Sequence, residues 1–128
     1  MGRQLRSKRA GEIKKMTQNT TGQSSPTISN YGVTVLSATT TAPYILDKPE
    51  EGTRVTLIDN TTVGAKVVRA TTIGDATSVT IGSGSAYQIT FTSTVAQAIT
   101  LVGVSTARWC VESIYPTSGA LAPTVGTS

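Results

Sequence analysis

Histidine is absent from this chain. That removes the commonest general base, the commonest metal ligand and the usual pH switch near neutrality. There is one cysteine, Cys110, so an intrachain disulfide and a cysteine-built metal cage are both excluded. With no imidazole to activate it, Cys110 reads as a half-buried structural thiol beside Trp109 rather than as a nucleophile. Aromatic residues make up only 5% of the chain: Trp109, Phe91, Tyr31, Tyr44, Tyr87 and Tyr115. A stacking platform for bases or sugars built from them would be sparse. Long apolar runs are missing too, so no segment reaches the length of a membrane span. The basic start runs into Glu12, Lys14, Lys15 and a polar stretch instead of the apolar core of a secretory signal. A cytosolic origin is therefore expected, which includes the cytoplasm of an infected cell.

Charge is scarce as well, at 14% of residues, and it is unevenly placed. Residues 1–15 hold six basic side chains (Arg3, Arg6, Lys8, Arg9, Lys14, Lys15) against Glu12, a net +5. Residues 16–128 hold five basic and six acidic side chains, a net −1, and the two parts sum to the overall +4. The protein is thus a nearly neutral body with a basic arm, and the two parts are expected to do different jobs. The arm could neutralise a polyanion or dock on an acidic patch of a protein; the bland alternative is a solvated terminus. It has no aromatics for stacking, and the body has no basic face, so a protein partner is preferred to nucleic acid.

At 128 residues the chain fits one domain. Thr, Ser, Gly, Ala and Val fill the space left by the scarce residues. Thr and Val suit a pleated surface, and Gly and Ser suit turns. Strands are expected at 33–38, 44–47, 53–59, 64–70, 77–82, 86–93, 97–104 and 107–113. Several alternate cleanly: Tyr87, Ile89 and Phe91 share one face, Val79 and Ile81 another, and Ala107, Trp109 and Val111 a third. Period two over many short segments, with turn residues every 8–12 positions, signals an all-β antiparallel sandwich or small barrel. Residues 1–30 read as the arm and a polar linker, 31–115 as the β domain, and 116–128 as an extended tail with no strand signal. Leu5, Ile13 and Met16 give only a poor helical stripe in the arm, interrupted by Gly11.

Local motifs carry little chemistry. Asp47, Glu50 and Glu51 are the one carboxylate cluster, but Lys48 and Pro49 interrupt it and no Asp-x-Asp spacing occurs, so it reads as a solvated turn rather than a Ca²⁺ loop. Gly82-Ser83-Gly84-Ser85 lacks the Lys-Ser/Thr and the helix of a phosphate loop and reads as a hairpin turn. Trp109, with Tyr87 and Phe91, is a candidate for the core or for a subunit interface. No nucleophile–base pair is evident, so no enzyme, cofactor, metal or small-molecule substrate is expected.

The segment Gly52–Asp59 (GTRVTLID), followed by Thr-rich hairpins and closed by the run Ala98–Val111 (AITLVGVSTARWCV), resembles a small β domain of bacteriophage virions. The resemblance covers roughly Ala42–Tyr115. With an arm in front, the chain is similar to capsid decoration proteins, also called minor capsid or cement proteins. That resemblance implies a homotrimer on the capsid surface whose arm (Met1–Asn30) and tail strap neighbouring major capsid subunits; from the composition above, no membrane partner is expected, and nucleic acid is disfavoured. The alternatives are a head- or tail-fibre or adaptor domain binding host glycans or other virion proteins, which needs an exposed aromatic patch, and a nucleic-acid-binding barrel, which needs aromatics on a sheet face.

Overall fold

A computed structural model describes residues 13–16, 27–36, 43–59, 66–70, 79–82, 84–92, 96–117 and 122–127. Every regular element among them is a strand: β1 (Ile13–Met16), β2 (Thr27–Ile28), β3 (Gly32–Leu36), β4 (Tyr44–Leu46), β5 (Arg54–Asp59), β6 (Lys66–Arg69), β7 (Thr80–Ile81), β8 (Gln88–Phe91), β9 (Gln97–Ser105), β10 (Arg108–Tyr115) and β11 (Thr124–Gly126). All eight segments expected from alternation hold a strand. The all-β expectation is met.

The strands form two open sheets. One has six strands in the order β1-β3-β5-β9-β10-β7, and the other five in the order β11-β8-β6-β4-β2. Neither closes on itself, so the barrel alternative does not hold. Nor are the sheets purely antiparallel. β1 and β3, β3 and β5, β2 and β4, β4 and β6, and β7 and β10 run parallel. The reason is the path of the chain. Nine of the ten connections between consecutive described strands change sheet, and only β9 to β10 stays within one. Among the first six strands, neighbours in a sheet are then two elements apart and run the same way. Register partners step from Ile13 to Val33 to Thr56 in one sheet, and from Thr27 to Ile45, beside Tyr44 to Val68, in the other. The first six strands thus make a flattened coil of unequal turns, and β8 to β11 finish it with antiparallel pairing. The expected hairpins are therefore mostly crossings between sheets. That holds for residues 82–85 too, where Gly82 and Gly84 take positive φ (74° and 79°) and join β7 to β8 in the opposite sheet.

Alternation decides which side chains meet. Val55 and Leu57 of β5 and Ile99 and Leu101 of β9 face inward, with Leu36, Ile81 and Trp109 of the same sheet. From the other sheet Ile28, Tyr44, Leu46, Val68, Ile89 and Phe91 join the same buried cluster. One core therefore lies between the two sheets, and each fully buried large aliphatic or Phe side chain there contributes about 1.5–3 kcal/mol. Gly103 sits where β9 meets the turn 49–52. A Cβ there would collide with the Glu50 carbonyl oxygen and lie 3.1 Å from Pro49 Cβ. The close approach is held by Gly52 N donating to Gly103 O and Gly103 N donating to Thr53 O, both at 2.8 Å.

Three strands fall where none was expected: β1 in the arm, β2 in the linker and β11 in the tail. Each is two to four residues long and lies at a sheet edge. Such short polar segments carry no periodic signal of their own, and their pairing comes from a partner strand distant in sequence.

Candidate interaction surface

The basic arm enters the fold at β1. Lys14 and Lys15 lie in this strand, in register with Thr34 and Val35 of β3. Arg3, Arg6, Lys8 and Arg9 lie outside the described residues. β1 is bonded on one side only, so its other side is a free edge of the six-stranded sheet among the described residues.

The two sheets differ on their outward faces. On the five-stranded sheet a polar chain crosses β6 and β8: Arg69 Nε donates to Gln88 Oε1 at 3.0 Å, and Gln88 Nε2 donates to Thr90 Oγ1 at 3.4 Å. The six-stranded sheet is plainer. Val33, Val35, Ile58, Ala98 and Val102 alternate with the buried inward row and are half-exposed. Between them Thr56 and Thr100, directly opposite in register, share a hydroxyl–hydroxyl hydrogen bond of 2.9 Å. Among the described residues, Val104 and Tyr115 are the large apolar side chains left most open, 42% and 65% exposed. An ion pair borders the patch, with Arg54 Nε donating to Glu112 Oε1 at 2.8 Å. That hydrogen bond raises the Arg54 pKa, and it lowers that of Glu112 against an opposing effect of desolvation. Such a face can bury area against another protein.

Of the aromatic candidates, Trp109 and Phe91 are wholly buried in the core. They hold the two sheets together and present nothing to a partner. Tyr87 is half-buried, and its backbone ties two strand ends together: Tyr87 N donates to Gly126 O, and Ala70 N donates to Tyr87 O. Asp47, Glu50 and Glu51 are exposed in the β4–β5 connection. No group of three or more Cys, Asp or Glu side chains among the described residues is placed to hold a metal ion.

One feature was missed from the sequence. Lys66 Nζ lies 3.2 Å from Asp59 Oδ1, with the two side chains 2% and 0% exposed. Asp59 ends β5 in one sheet and Lys66 begins β6 in the other. Gln97, in register with Asp59, is buried beside them and accepts a 3.2 Å hydrogen bond from Thr92 Oγ1. Tyr44 is fully buried, and its pKa is raised, first by desolvation and then by the charge of Asp59. The signal was parity. Asp59 continues the inward row of Val55 and Leu57, and Lys66 begins that of Val68 and Ala70.

No protein-family model, no curated protein and no solved structure matches this chain.

Proposed function

We propose that this chain is a non-enzymatic structural protein of a bacteriophage virion. In this reading it decorates the capsid as a homotrimer and straps neighbouring major capsid subunits through its arm. The observation that carries the reading is the division of labour. A neutral two-sheet head is packed in the manner of a sandwich, and a +5 arm leads into it at a sheet edge. A cement protein needs area, a stiff head and reach, and no catalytic group. The largely uncharged outward face of the six-stranded sheet offers apolar surface for association between copies, which suits a head with a thin core. Three arms on a trimer act together through effective concentration, so each can be weak. The glycan-binding fibre reading finds little support, because Trp109, Phe91 and Tyr44 are all internal.

The arm tests the reading. Replacing Arg3, Arg6, Lys8 and Arg9 by Gln removes four positive charges. At about 0.5 kcal/mol for each pair lost, affinity for isolated phage heads should fall by about 30-fold. Its dependence on salt should flatten too. Unchanged occupancy across a salt series would overturn the proposal.

A further inference from the structure

β1 is joined to the rest of the fold in a way that does not require it to come from the same chain. Its described attachment is the ladder to β3, four consecutive Cα partners from Ile13↔Val33 to Met16↔Leu36, made by parallel backbone pairing at a sheet edge. We propose that β1 is an exchangeable strand: in an assembly, Ile13–Met16 of one copy lies beside Val33–Leu36 of a second copy. This rests on the reading of the arm as a strap and names the surface that it grips.

The occupant follows from the pairing itself. The edge of β3 already accepts this sequence in a defined register, and every copy of the chain presents the same edge. Ladder hydrogen bonds depend on backbone and not on which chain supplies it, so the pairing gains the same bonds within a chain or between chains. What differs is the cost of bringing the strands together. Within one chain, residues 17–26 must close between β1 at the edge of one sheet and β2 at the edge of the other. Between chains the cost is set by concentration, and it becomes small when copies are held side by side at millimolar effective concentration. Ten residues span at most about 35 Å, enough to reach an adjoining small domain. Exchange should therefore be rare in dilute solution and common in an assembly.

Charge restricts the partner. Lys14 and Lys15 lie within β1, and four more basic residues precede it. Lysines on an edge strand discourage indiscriminate edge-to-edge pairing, so the strand is protected from running into fibres. The donor on one copy and the acceptor on the next are different surfaces, which makes the contact heterologous; it ends in a ring wherever the rotation between copies closes.

Two single-cysteine chains test the idea, both with Cys110→Ser. One carries Lys15→Cys and the other Val35→Cys, a pair of register partners. They are refolded together at high concentration, mildly oxidised and run on a non-reducing gel. Exchange gives a heterodisulfide at twice the 13.3 kDa chain mass. It should be at least about tenfold more abundant than from Lys15→Cys mixed with Thr106→Cys, an exposed position at the β9–β10 turn, because only the former pair is held at high effective concentration. Equal yields from the two mixtures would overturn the proposal. So would a single chain carrying both Lys15→Cys and Val35→Cys that oxidises only within itself at the highest concentration, or forms no disulfide. Ile13→Cys with Val33→Cys repeats the test should the first pair fold poorly. The experiment needs no capsid. Its failure beside an intact effect of the arm on head binding would leave the strap reading standing, whereas loss of that effect beside a positive gel would remove the strap reading alone.

Discussion

The buried charges of Asp59 and Lys66 bridge the two sheets, and their energetics are asymmetric. Removing one partner strands the other charge in the core, so Lys66→Met alone should cost about 3–5 kcal/mol. Replacing both, Asp59→Leu with Lys66→Met, should restore most of that loss, since a well-packed apolar pair is often as stable. Urea unfolding of the two single variants and the double variant measures the coupling; additive losses would mean that the 3.2 Å contact is not the interaction that matters. Tyr44 sets a second test. Its pKa is raised in the folded state by burial and by Asp59, so the folded protein holds that proton more tightly than the unfolded chain. The sign follows: the stability linked to Tyr44 is whole below the ordinary tyrosine value of about 10 and is lost as pH rises from there through the higher folded value. Tyr44→Phe should flatten the fall of stability above that pH, read by urea unfolding at alkaline pH. An identical alkaline decline in the variant would count against this account.

At the scale of elements, the turn 49–52 against β9 depends on a missing side chain. Gly103→Ala places a methyl group against the Glu50 carbonyl, and both backbones there are tied by hydrogen bonds, so neither yields easily. A loss of about 1–3 kcal/mol is expected, the usual range for overpacking. The same substitution at Gly126, where an added Cβ would meet no neighbour within 4 Å, is the control and should cost far less. Thermal or chemical unfolding of the two variants decides it. The strands themselves were largely legible. Of the residues placed on shared faces by alternation, Val79, Ile81, Ile89, Phe91 and Trp109 are buried, Tyr87 and Val111 are half-buried, and Ala107 is exposed. Alternation says nothing of direction, because parallel and antiparallel strands share period two. For that reason the antiparallel expectation held for only four of the nine described strand pairings. It assumed that each turn folds back within its own sheet, whereas most cross to the other.

For the whole molecule, the division into neutral head and basic arm was visible from the charges alone. That the arm contributes a strand to the sheet was not, because Ile13–Met16 is too short and too basic to announce itself and takes its place from β3. The coil of the first six strands was hidden for a related reason. Its register partners are 20 and 23 residues apart in one sheet, from Ile13 to Val33 and from Val33 to Thr56, so no fixed repeat appears. The Asp59–Lys66 pair joins the sheets across a connection of unlike strands, and only parity could have shown that both residues point inward.

The winding of the chain between sheets also has a mechanical meaning. A force that pulled the two layers apart would act on covalent backbone at nine crossings as well as on the apolar contact between the layers. Peeling one layer away would require the chain to unwind turn by turn, and the toughness of the head would lie in its route as much as in its core.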